Sequence, residues 1–237
     1  MARKGRLLKA STKIDIERPV KFRRYEYFFL IVCEDQKTEP SYFETFKSQI
    51  PKETLYLATF GKGKDPKSVV EEAVKERDIL AEKIKKEIDV VWAVFDKDDA
   101  DLYPARATRF EEAFKIAEHE KIEIAYSNEV FELWLLLHFT DVDSEKPLPR
   151  KEVYKLIQKT IRKIPKYDAY AYDHSKYNPA TVKIILEFGD VEAAIERAEV
   201  LFEKQKERKP IEANPSTKVH ILIKELLALI EYYNFVP

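Results

Sequence analysis

YFFLIVC, Tyr27 to Cys33, decides the fold when read together with DVVWAVF, Asp89 to Phe95. Beyond Asp89, both are unbroken runs of aromatic, β-branched and other apolar side chains. A strand with one wet face alternates apolar and polar residues, whereas a strand covered on both faces reads as a continuous apolar run. Buried parallel strands need helices between them, and the neighbouring segments supply these. The pattern predicts a helix over Ser41 to Gln49, a strand over Leu55 to Phe60, and a long helix over Pro66 to Glu87. Asp65 and Pro66 suit that last helix start, as cap and first-turn proline. A helix follows over Pro104 to Glu120, then a strand over Ile122 to Tyr126.

Strand and helix thus alternate over residues 25 to 126, which predicts an α/β fold with a parallel sheet of about four strands, flanking helices and right-handed crossovers. After Asn128 the strands stop. FELWLLLHF, Phe131 to Phe139, is apolar nearly all round and reads as a helix buried against the sheet. Helices over 150 to 163, 176 to 187, 190 to 207 and 217 to 235 would form a C-terminal helical layer. The expected division is a basic arm (1 to 24), an α/β domain (25 to 140) and a helical region (141 to 237) packed on it.

Charge excludes little. Charged residues make up 36% of the chain against an average of about 25%, but 42 Lys+Arg and 43 Asp+Glu leave a formal charge of −1. The exception is local: residues 1 to 24 hold nine Lys or Arg and two acids. That arm reads either as a phosphate-scanning tail or as a solubilising terminus. A single cysteine, Cys33, and four histidines rule out a disulfide scaffold and an ordinary structural zinc site. No segment approaches the roughly 18 apolar residues of a membrane span, and MARKGRLLKASTK lacks the apolar stretch of a secretory signal. The expectation is a cytoplasmic protein with no membrane partner.

In an open parallel sheet the site lies beyond the carboxyl ends of the strands. The first strand ends in Cys33-Glu34-Asp35 and the later one in Asp96-Lys97-Asp98-Asp99-Ala100-Asp101. Two strands therefore deliver carboxylates to one sheet edge. Such a cluster favours Mg²⁺, which takes hard oxygen ligands and bridges to phosphates. The plainer reading makes these acids helix caps, with Asp101 capping the helix near Pro104 and Glu39 lying in the first turn of another.

Several motifs carry a family resemblance. VCEDQKTEPSYFE (Val32 to Glu44), VWAVFDKDDAD (Val91 to Asp101) and SNEVFELWLLLHF (Ser127 to Phe139) closely resemble the RloB family, as do GKGKDPKSVV (Gly61 to Val70) and NPST (Asn214 to Thr217). The resemblance spans residues 25 to about 225. It implies a TOPRIM-like fold and an association with restriction-modification and other prokaryotic antiviral defence loci. TOPRIM domains carry a glutamate after the first strand and an Asp-x-Asp after a later one, which here fall on Glu34 and on Asp96 and Asp98. The usual glycine after that glutamate is replaced by Asp35, a bulkier acid that would tighten a metal site or narrow substrate access.

The resemblance therefore implies a Mg²⁺- or Mn²⁺-dependent nuclease in which Glu34, Asp96 and Asp98 are catalytic metal ligands and Glu34 also shuttles a proton. Glu132, in an apolar helix, needs a partner when buried, either a fourth metal-site acid's cation or a structural arginine. Lys37, Lys62, Lys64 and Lys97 would offset phosphate charge. The Gly61 to Lys64 loop lacks P-loop spacing, which argues against ATP hydrolysis by that route. His138 and Cys33 read as core residues, and Ser216 or Thr217 as the cap of the last helix. The expected partner is nucleic acid, DNA or RNA, with a homo-oligomer or a defence-system partner protein left open. The rival reading is a non-catalytic nucleic-acid-binding or sensor subunit that keeps the fold. A phosphatase of the HAD type would need Thr or Val where Ala100 stands.

Overall fold

The computed structural model describes residues 26–59, 65–174 and 179–235. The basic arm and the lysines at 62 and 64 lie outside the described residues. The chain runs β1 (Phe29–Cys33), α1 (Thr38–Glu44), β2 (Leu55–Thr59), α2 (Pro66–Ile84), β3 (Val90–Asp96), α3 (Pro104–Glu120), β4 (Glu123–Asn128), α4 (Glu132–Leu137), α5 (Arg150–Ile161), α6 (Pro179–Phe188), α7 (Val191–Gln205), β5 (Ser216–Thr217) and α8 (Val219–Asn234). The five-stranded sheet has the order β2-β1-β3-β4-β5. Its first four strands are parallel, and β5 is antiparallel to β4.

Because successive side chains of a strand point to opposite faces, each strand feeds two cores. Leu30, Val32, Val91, Ala93, Phe95, Ile124 and Tyr126 belong to the core under α2 and α3. Phe29, Ile31, Cys33, Trp92, Val94 and Ala125 belong to the larger one, which contains the buried side chains of α4, α5, α7 and α8. Burial on both faces is why β1 and β3 carry no polar alternation. All six residues of α4 are buried, Glu132 among them.

The N-terminus of α2 forms as its sequence dictates, with the Asp65 carboxylate accepting from Ser68 N–H and Pro66 in the first turn. The helix stops at Ile84, three residues early, where Lys85 takes a left-handed φ of 57°. The segment expected as one helix over Ser41 to Gln49 is α1 followed by a 3₁₀ turn at Thr45–Gln49.

Two expectations about caps are corrected. Asp101 does not cap α3: the cap position is Tyr103, without a side-chain hydrogen bond, and the Asp101 carboxylate instead accepts from Lys97 Nζ at 2.7 Å. NPST does more than open a helix. Ser216 and Thr217 pair with Asn128 and Ser127, adding a short strand to the sheet, while Thr217 Oγ1 also accepts from Val219 N–H at 3.2 Å.

Candidate functional site

The acids meet at the carboxyl ends of β1 and β3. Cys33 is level with Val94 across the β1–β3 ladder, so Glu34 leaves the sheet one residue before Asp96. Glu34 N–H donates to the Val94 carbonyl at 3.0 Å, and the Glu34 carboxylate accepts from Asp96 N–H at 3.2 Å. Glu34 therefore faces the same sheet edge as Asp96. Asp98 follows in the left-handed region, φ 51°, which a non-glycine residue adopts at a cost. Its N–H donates to the Glu129 carbonyl at 3.1 Å, tying the β3 loop to the β4 loop.

A cavity of about 290 Å³ opens on this edge. Glu34, Asp35, Glu39, Asp96, Asp98 and Glu132 all line it, together with Lys37, Arg150, Tyr154, Tyr172 and His174. The acids are crowded in a dry place. Burial pushes the Glu34 carboxyl up to about 8; the Asp96 amide pulls it down, and the charges of Asp98, Asp35 and Asp65 push it further up. Burial first, then Glu39, Asp98, Glu132 and Glu34, hold Asp96 well above the usual carboxylate range. Glu39 is raised in the same way by burial, Glu34 and Asp35. Asp96 Oδ1 is buried and has no hydrogen-bond partner among the described residues.

The other acids have visible local roles. Asp35 accepts from Thr38 N–H at 2.8 Å and so caps the start of α1, and Glu39 lies in its first turn, accepting from Asp35 N–H at 3.2 Å. Glu132 accepts a hydrogen bond from the Tyr172 hydroxyl, so its partner is a tyrosine rather than the arginine that the sequence offered as one choice. Asp98 and Asp99 pair with Arg150 at 3.0 and 2.7 Å. Glu129 accepts from Arg150 N–H at 3.1 Å and from Asn214 Nδ2 at 3.2 Å, which fixes the first residue of α5 against the sheet edge.

Of the expected phosphate-binding lysines, Lys37 lines the cavity. Lys97 is only 2% exposed and its ammonium faces Asp101 at 2.7 Å and Glu129 at 3.9 Å, so it serves the loop behind the site. Glu39 lies in the first turn of α1, as one sequence reading had it, whereas sequence reasoning missed Glu129, Arg150, Tyr154, Tyr172 and His174. Arg150 and Tyr154 alone left a signal, an i, i+4 pair that must share one face of α5.

Among the described residues, no group of three or more His, Cys, Asp or Glu side chains stands as a ready metal-ligand set. The donor chemistry nevertheless fits a hard cation. The donors are all carboxylate oxygens, burial and neighbouring acids raise those of Glu34 and Asp96, and one buried oxygen of Asp96 lacks a hydrogen-bond partner among the described residues.

The class defined so far is an α/β protein with a carboxylate-lined cavity at the carboxyl ends of parallel strands. The family model of the RloB-like proteins matches residues 29–226, and the chain belongs to that family. No curated protein and no solved structure matches it.

Proposed function

We propose that the protein is a Mg²⁺- or Mn²⁺-dependent nuclease of TOPRIM-like type that hydrolyses phosphodiester bonds of nucleic acid in a prokaryotic defence setting. The observation that carries this reading is the convergence of Glu34, Asp96 and Asp98 on one cavity, with a buried Asp96 oxygen that has no hydrogen-bond partner among the described residues. Glu34, Asp96 and Asp98 would hold the ion, with Glu132 at the back of the same cavity. A bound divalent cation supplies charge neutralisation at the phosphoryl oxygen and a more acidic water.

The protein's own groups do the rest. Burial and neighbouring acids raise the Glu34 carboxyl to about 8, so holding its charge at neutral pH needs a positive partner such as the cation it would ligate. Lys37 brings positive charge to the cavity mouth. Arg150 offsets the charge of Asp98 and Asp99 and keeps the β3 loop in place. Apolar Val130 and Phe131 on the cavity wall limit water.

The test is cleavage of labelled single- and double-stranded DNA, RNA and tRNA with Mg²⁺, Mn²⁺ or chelator. The reading expects metal-dependent cleavage of at least one substrate, abolished in Glu34→Gln and Asp96→Asn. Nucleic-acid binding that is equal in wild type and both variants, with no turnover by any, would favour the sensor reading.

A further inference from the structure

The cavity has a second kind of wall. Tyr154 stands one turn after Arg150 on α5, and its ring lies over His174 at 5.1 Å between centroids, with only 8° between the planes. Tyr172 lies 5.2 Å from Tyr154 at 33°, its hydroxyl held by Glu132. Rings in the protein's core meet differently: Tyr42 and Phe43 cross at 85°, Phe95 and Phe110 at 87°, Trp134 and His138 at 80°. The nearly parallel pair is half-buried at Tyr154 and exposed at His174, and both rings line the cavity, so the solvent-facing side of the stack lies at the cavity.

We propose that Tyr154 and His174 form a base-stacking platform, and that the site takes single-stranded nucleic acid, one unpaired nucleotide at a time, with the base on these rings and its phosphate toward the carboxylates. This rests on the nuclease reading and adds the substrate class. Three observations converge on it. Stacking on aromatic side chains is how proteins grip unpaired bases, and every base has a face to offer. The volume of about 290 Å³ sits at the lower limit of small-ligand sites, about 300 Å³, which suits one nucleotide. Finally, the stacked rings share that cavity with Lys37, whose charge suits a phosphate, and with the carboxylates that would hold the cation between themselves and that phosphate.

The test is fluorescence anisotropy with the full chain and Mg²⁺, using phosphorothioate oligonucleotides that resist cleavage. A single strand, a duplex of the same sequence, and a nucleoside monophosphate compete for the site. The proposal expects the single strand to bind at least ten-fold tighter than the duplex, and the nucleoside monophosphate to compete for the same site. Tyr154→Ala should weaken single-strand binding about 5- to 100-fold, the span expected for loss of one stacked base, while Tyr154→Phe, which keeps the ring, binds like wild type. His174→Ala, at an exposed position where folding is not at risk, should weaken it several-fold. Equal affinity for single strand and duplex, or a nucleoside monophosphate that does not compete, would overturn the proposal. So would Ala and Phe variants that fall together, or neither falling. Metal-dependent cleavage by wild type is scored separately: its absence with stacking intact defeats the nuclease reading alone, and its presence with stacking absent defeats the platform alone.

Discussion

Asp96 carries a conflict that only its surroundings can resolve. Its carboxyl is buried beside Glu34, Glu39, Asp98 and Glu132, and one oxygen has no partner among the described residues. Burying such a group without compensation is costly. Asp96→Asn should therefore leave the protein in chelator as stable as wild type or raise its melting temperature by about 2–4 °C, the effect of ~1 kcal/mol in a chain of this size, while abolishing metal-dependent cleavage. A fall of several degrees would make Asp96 a structural residue. His138 offers a pH test away from the site. Its Nδ1–H donates to the Trp134 carbonyl, so the neutral ring accepts from Tyr42 at Nε2, both at 3.0 Å. Burial lowers its pKa from 6.5 to about 4; the Trp134 carbonyl and Asp190 oppose the shift and Arg197 adds to it. The unfolded chain then binds the extra proton between those values, so this contribution to stability is complete above about pH 6.5 and is lost as pH falls toward 4. The shift corresponds to about 3 kcal/mol. Urea denaturation at pH 7 and pH 5 should show a smaller pH effect in His138→Gln than in wild type. At this scale Glu34, Asp96 and Asp98 were legible because strand ends announce themselves. Arg150, Tyr154 and Tyr172 were not, since their approach depends on how a distant helix docks.

Between elements, the turn from α6 to α7 is closely packed. Gly189 N–H donates to Ile185 O at 2.8 Å and Asp190 N–H to His138 O at 3.0 Å. A Cβ at Gly189 would stand 2.5 Å from the Ile185 oxygen and 2.7 Å from His138 Cβ. Both are close to backbone that cannot swing away, so Gly189→Ala should destabilise by about 1–3 kcal/mol, read as a lower urea midpoint with an unchanged slope. Secondary structure was most legible where burial was two-sided. The apolar runs of β1 and β3 and the all-round apolar α4 follow directly from composition. β5 was hidden because a two-residue strand has no period to detect. Its pairing comes from the Ser127 and Thr217 side chains, whose hydroxyls meet at 3.0 Å across 90 residues of sequence.

For the whole molecule, net charge is silent while its distribution is not. Nine of the 42 Lys+Arg fall in residues 1 to 24. If that arm scans phosphates, its deletion should weaken polynucleotide binding and flatten the salt dependence, each neutralised phosphate contributing about 0.7 to 0.9 to the log-log slope. An unchanged slope would leave the arm a solubilising tail. The account as a whole depends on one physical claim, that acids from β1 and β3 are gathered at one edge to hold a divalent cation. Calorimetric titration of Mn²⁺ into the full chain tests it without reference to any substrate. The account predicts saturable binding of one or two ions per chain, lost in Glu34→Gln and in Asp96→Asn while neither variant melts lower than wild type in chelator. Absence of binding, or binding that both substitutions leave unchanged, would contradict it.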